Sequence, residues 1–273
     1  MQITGPGRPC PVKQEVRSAM QETMLSRDKT ASSKNAVKYV LVVGSDADSL
    51  VYTSILLQRL DYQICTAFTV DEAIDMADVM VPSLVITDLQ TSALGVPRLI
   101  ELLKQKPDTA AIPVIIKSEH FTPQIEKKCL DAGARACLKK PVEPEDLYRA
   151  VQSAIEPTPR EHIRIQTRLS VLVNNRKLDE SAGEFATVLS SRGMYVRTRY
   201  PLPVKARFPV RIKIDDRLVN AEAKVIYSHQ EGEGPNGQPG MGLYFAEISE
   251  EDQRFLQQYI AAHVTKGMTS RRI

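Results

Sequence analysis

Two stretches of this chain have residue types and spacing suited to chemistry: Arg160-Glu-His-Ile-Arg164 and Ser190-Ser-Arg-Gly193. Two arginines at that spacing can fork onto phosphate oxygens and onto the O6/N7 acceptor edge of guanine. The short Ser and Gly side chains let a hydroxyl and bare backbone approach a ligand closely. The arginines follow Glu156-Pro-Thr-Pro159, whose second proline forbids helix continuation. They therefore stand at a joint between domains, where a bound ligand would bear on how the two sides are held.

The elements before that joint alternate. Short apolar runs at 39–43, 62–66, 84–87, 113–116 and 136–138 read as strands buried on both faces. Between them lie amphipathic stretches. Ser49 to Leu60 reads as a helix, and Thr69-Val-Asp-Glu72 is a capping box ahead of the stripe Val70, Ala73, Ile74 and Ala77. Val96, Leu99, Ile100 and Leu103 form a third helical stripe, and Leu147, Val151 and Ile155 mark the last. Thr122-Pro123 opens a helix that Gly133 closes. Five strands and five helices specify an α/β doubly wound, flavodoxin-like parallel sheet. Such sheets carry their chemistry beyond the C-terminal ends of the strands. Those ends are Gly44-Ser45-Asp46, Asp88, Ser118 and Lys140-Pro141.

After Pro159 the period becomes two. Phe208, Val210, Ile212 and Ile214 alternate with polar residues, as do Leu169, Val171 and Val173, and Ala221, Ala223 and Val225. Pro209 predicts that its strand lies at a sheet edge. Ser249-Glu-Glu-Asp252 caps a final helix bearing Phe255, Leu256, Tyr259 and Ile260. The expectation is a small antiparallel β-barrel with a C-terminal helix. The domain boundaries expected are a flexible tail over 1–36, an α/β domain over 37–156, a β-barrel domain over 157–266 and a tail over 267–273.

Charge is uneven. Residues 157–273 hold 18 Lys and Arg against 13 Asp and Glu, a net +5, whereas residues 1–156 hold 18 against 20, a net −2. A compact anionic ligand in the second half fits this better than long nucleic acid, since no basic-aromatic stripe is present. Cys10, Cys65, Cys129 and Cys137 have no zinc spacing, and His120, His162, His229 and His263 have neither metal spacing nor a nucleophile partner. No run approaches the roughly 20 apolar residues of a membrane span. With no secretory leader legible, a cytoplasmic protein with reduced thiols is expected, without membrane insertion.

Asp88 after the third strand, Ser118 after the fourth and Lys140-Pro141 after the fifth resemble a response-regulator receiver domain. That resemblance implies that Asp88 is the phospho-acceptor, that Ser118 bonds a phosphoryl oxygen and that Lys140 pairs with Asp88 or its phosphate. Receivers place two acidic residues after the first strand to hold Mg²⁺. Here those positions are Gly44 and Ser45, and Asp46 comes one residue late. Mg²⁺ is therefore not expected, and phosphorylation should be impaired. Cys137 stands where receivers usually carry an aromatic. Receivers often pair through the last helix and strand, so a homodimer is compatible with this reading.

The β-rich half resembles a PilZ domain. Arg160 and Arg164 match its RxxxR element, Ser190 and Gly193 its [D/N]xSxxG element, and Gly240-Met-Gly-Leu-Tyr-Phe245 its late Gly-x-Gly strand. The resemblance implies cyclic di-GMP as ligand. Val188 replaces the Asp or Asn that accepts from guanine N–H groups, an unpaired-donor cost of about 1–3 kcal/mol, so binding should be weakened. Arg168 and Arg192 are expected to offer stacking surface.

These readings converge on a non-enzymatic bacterial signalling protein that binds cyclic di-GMP and docks protein partners through its receiver. Motility and biofilm control are implied by the families alone. The alternatives are a phosphorylation-driven regulator using Asp88 and a ligand-independent interaction module. No Gly-rich phosphate loop, nucleophile elbow, or cyclic-dinucleotide synthase or hydrolase signature points to an enzyme.

Overall fold

In the computed structural model residues 38–88 and 95–268 are described. The tail expected over 1–36, with Cys10, lies outside them, as do the Val96 side chain and residues 269–273. Branched apolar residues build the first sheet from β1 (Tyr39–Val43), β2 (Gln63–Ala67), β3 (Leu84–Asp88), β4 (Val114–Ser118) and β5 (Ala136–Lys139). The strands are all parallel, in the order β2-β1-β3-β4-β5. β3 and β4 are buried along their whole length, as required where helices cover both faces.

The helices are α1 (Ala47–Arg59), α2 (Val70–Met80), α3 (Gly95–Lys104), α4 (Pro123–Ala132) and α5 (Pro144–Ile155). Their ends follow the expected local chemistry. Thr69 Oγ1 accepts from the Glu72 N–H, and Glu72 reaches back to accept from the Phe68 N–H at 2.8 Å. Thr122 caps α4, and Gly133 ends it at φ 105°, a left-handed conformation that favours glycine.

The second half comprises β6 (Ile165–Leu169), β7 (Val171–Val173), β8 (Arg176–Lys177), β9 (Phe185–Ser190), β10 (Gly193–Arg197), β11 (Arg207–Ile214), β12 (Arg217–His229), β13 (Gly240–Ile248) and α6 (Glu250–Thr265). They form an antiparallel sheet ordered β6-β9-β10-β13-β12-β11-β7-β8. The chain passes from β6, at one edge, across Ser170 directly into β7, near the opposite edge. The sheet must curl to allow that step, and its concave side holds Val171, Ile212, Ala223, Val225 and Phe245.

Pro209 corrects one expectation. Its strand β11 is interior, paired to β12 on one side and β7 on the other. The proline is tolerated because its backbone faces the end of β7. There Asn174, at φ 48°, has begun the β7–β8 turn and donates its N–H to the Pro209 carbonyl at 3.0 Å.

α6 packs against β6 and β9 of the second half and against α1 and α5 of the first. Arg59, closing α1, donates to the Val264 carbonyl in the last turn of α6 at 2.7 Å. One apolar cluster runs from Leu56 and Leu147 through the fully buried Ile163 to the interior of the curled sheet.

Candidate functional site

At the joint, the linker is held by one stripe of α5. Glu145, Tyr148 and Gln152 lie at i, i+3 and i+7 of that helix. The Glu145 carboxylate meets His162 Nδ1 at 3.0 Å. The Gln152 carbonyl oxygen accepts from the Arg160 N–H at 2.9 Å, while its amide donates to the Tyr62 hydroxyl at 2.7 Å. Burial raises the Tyr148 phenol. The Arg160 charge, a hydrogen bond from Arg160 and the Arg164 charge oppose that rise, so both guanidiniums act on this one hydroxyl.

Arg160 and Arg164 are both exposed. The acidic neighbours that could have neutralised them are engaged elsewhere: Glu156 pairs with Lys38 at 2.7 Å, and Glu161 lies 3.9 Å from His162. Among the described residues no carboxylate forms an ion pair with either arginine.

The strand register brings the two sequence elements together. Ile165 opposes Leu189, so Arg164, the residue before it, stands at the end of the ladder beside Ser190. Ser190 in turn opposes Gly193 and donates its hydroxyl to the Gly193 carbonyl at 3.0 Å. Gly193 has a structural requirement of its own, since a Cβ there would lie 2.2 Å from the Leu243 carbonyl oxygen of β13. Val188, half-buried, sits between Gln166 and Tyr195 on the same outer face as Ser190.

That face carries aromatic surface. Tyr195 stacks with Tyr227 at a centroid separation of 6.1 Å, and the Tyr227 ring lies over Gly242, where an added Cβ would come within 2.3 Å of it. Arg168, a candidate for stacking surface, lies 4.7 Å over the Phe185 ring, with Arg197 at 4.5 Å.

In the first half, Asp88, Ser118 and Lys140 converge at the ends of adjacent strands, with Asp88 level with Lys117 and Ser118 level with Lys139. Asp88 is 5% exposed, and Lys140 Nζ lies 2.5 Å from its Oδ2. Ser118 Oγ accepts from the His120 N–H at 3.2 Å. Asp46 caps α1, accepting from the Asp48 and Ser49 N–H groups. Cys137 touches Cys129, and burial pushes its thiol up to about 12.

Residues 40–152 match the response regulator receiver domain family, and residues 158–262 match the PilZ domain family. The chain carries a receiver domain followed by a PilZ domain. PilZ is a cyclic di-GMP-binding family, and both families are signalling domains. The receiver half is similar to the two-component response regulators ORR7 and ORR6 of Oryza sativa subsp. japonica, at 29% identity over 120 residues and 27% over 114. These matches cover 43% and 41% of this chain, and the chain spans 57% and 67% of those proteins. Among solved structures it is similar to the chemotaxis protein CheY4 of Vibrio cholerae, with 22% identity and TM-score 0.42 over 44% of this chain and 99% of that one. A receiver domain protein from Clostridium thermocellum gives 26% and 0.40 over 43% and 94%. No helix among the described residues is long and apolar enough to cross a membrane.

The receiver's residues do not fit the Mg²⁺ that its family implies. A hard divalent ion wants a shell of oxygens including carboxylates. Gly44 offers none, Asp46 is turned onto its own helix, and Asp88 is held by Lys140. Among the described residues no group of three or more His, Cys, Asp or Glu is arranged for a metal.

Sequence reasoning missed Lys117, Ser49, Tyr148 and Gln152. Tyr148 and Gln152 were recoverable in part, because they share the α5 stripe with Glu145.

Proposed function

We propose that this chain is a non-enzymatic bacterial signalling protein whose PilZ domain binds cyclic di-GMP through Arg160, Arg164, Ser190 and Gly193. The carrying observation is that two exposed arginines, unpaired with any described carboxylate, stand beside the Ser190–Gly193 turn. Their guanidiniums suit the two phosphates and the guanine acceptor edges of the ligand. Tyr227, exposed on the same outer face, offers base-stacking surface, backed by the buried Tyr195 ring. Val188 supplies no acceptor, so affinity is reduced but not abolished.

In this reading the receiver docks protein partners and is not phosphorylated, because Gly44 and Ser45 supply no carboxylate for the metal and Asp46 is turned onto its own helix. The protein acts in the cytoplasm. Isothermal titration of the full chain with cyclic di-GMP tests the ligand assignment. Heat and a raised melting temperature are expected. Neither signal at high micromolar ligand would overturn it. Beryllofluoride with Mg²⁺, followed by fluorine resonance, tests the receiver: wild type should stay unmodified.

A further inference from the structure

The Asp88 end of the receiver contains a second internal cation. Lys117, in β4, is only 4% exposed. Its Nζ donates to Thr53 Oγ1 at 2.7 Å and to Ser49 Oγ at 3.2 Å, both on α1. The Ser49 hydroxyl then donates to Asp88 Oδ2 at 3.5 Å. Asp88 is thus approached by Lys140 directly and by Lys117 through one hydroxyl. Asp88, Asp46 and Lys140 all act electrostatically on Lys117, so two carboxylates face two ammonium groups.

Space for a further ligand exists beside them. A Cβ built at Gly44 would make only ordinary contacts, 3.6 Å to Leu50 and 3.9 Å to the Asp88 Cβ. The position is empty of carboxylate without being sterically closed. Burying an ammonium is costly unless it is satisfied by hydrogen bonds and opposite charge. Lys117 has both, from α1 and from Asp88, and they offset part of that cost.

We infer that Lys117 supplies from within the protein the positive charge that a receiver otherwise takes from a divalent metal, so that the Asp88 site is balanced without an ion and repels one. This rests on the reading that the receiver does not use Mg²⁺, and extends it. Missing ligands at 44 and 45 are one barrier to metal, and the charge of Lys117 is a second, independent barrier. Restoring the carboxylates alone therefore does not restore the metal site. Lys117 acts here as a positioning residue for the charge of the site.

The test uses Mn²⁺, an oxygen-seeking divalent probe, with the full chain. Free Mn²⁺ is counted by electron paramagnetic resonance, and thermal melts confirm folding. Four proteins are compared: wild type, Gly44→Asp/Ser45→Asp, that double variant with Lys117→Gln, and that double variant with Lys117→Met. Gln keeps a donor for Thr53 while removing the charge. Wild type should retain no Mn²⁺ at millimolar concentration. The double variant should bind weakly, and each triple variant at least ~10-fold more tightly, as expected when a like charge is removed from a metal's surroundings. Equal affinity of the double variant and whichever triple variants fold would overturn the role of Lys117 alone. Retention of Mn²⁺ by wild type that is lost in Asp88→Ala would overturn both this inference and the phosphorylation-deficient reading.

Discussion

The Arg160 backbone N–H is hydrogen-bonded to the side-chain carbonyl of Gln152 at 2.9 Å, tying the first arginine of the PilZ motif to the last helix of the receiver. Gln152 is buried, and its amide also serves the Tyr62 hydroxyl. Gln152→Ala leaves both partners without their hydrogen bond. We expect a loss of about 1–3 kcal/mol in stability, read by urea unfolding. A variant as stable as wild type would show that water replaces the amide without cost.

The arginines and Val188 predict a graded binding series. Arg160→Ala and Arg164→Ala should each weaken cyclic di-GMP by roughly 10- to 150-fold, the range for a lost charge-assisted hydrogen bond. Val188→Asp should tighten it by about 5- to 150-fold. Titration calorimetry at two salt concentrations checks both, and the arginine effects should shrink at high salt. Binding unchanged in both arginine variants would remove the assigned site.

Ser190 and Gly193 are separable. Gly193→Ala drives a Cβ against the Leu243 carbonyl oxygen, a rigid backbone atom, so it should destabilise the fold whatever the ligand does. Ser190→Ala removes only a hydroxyl bonded to the Gly193 carbonyl, and should cost about 0.5–1.5 kcal/mol at most. Comparing melting temperatures with ligand affinities for the two variants checks this. Loss of affinity in Ser190→Ala with an unchanged melt would mark a direct ligand contact.

Lys117 gives a pH dependence of defined sign. Desolvation pulls its ammonium down from 10.5 to about 8; Asp88 opposes this, Lys140 reinforces it and Asp46 opposes it. Between those values the unfolded chain holds more protons than the folded one, so stability rises with pH. The penalty is fully present below pH 8 and is relieved by pH 10.5, an effect on the order of 3 kcal/mol relative to Lys117→Met. Urea midpoints of wild type and Lys117→Met across that range check it. A constant difference between the two would contradict it.

Much of this architecture was legible in the residues. The alternation of strand and helix patterns, the Thr122 and Ser249 caps and the Gly133 stop each reflect local chemistry, and each stands where expected. Asp88, Ser118 and Lys140 come together as expected because a parallel sheet brings the C-terminal ends of adjacent strands side by side. Lys117 escaped because a lysine near a strand end reads as solvated, and only the partners on α1 explain its burial. Pro209 misled because its tolerance depends on where a neighbouring strand turns away. The grip of α5 on the linker, and that of α6 on α1, are tertiary contacts between segments far apart in the chain, which periodicity does not encode.

The placement of α6 has a consequence for any dissection of this molecule. The helix completes the apolar interior of the curled sheet while Arg59, from the other half, satisfies a carbonyl of its final turn. Cleaving between the halves would strip Ile163, Val264 and Leu147 of shared cover. The intact chain should therefore melt as a single calorimetric peak with matching van't Hoff enthalpy, and fragments studied alone would describe a different, stickier object.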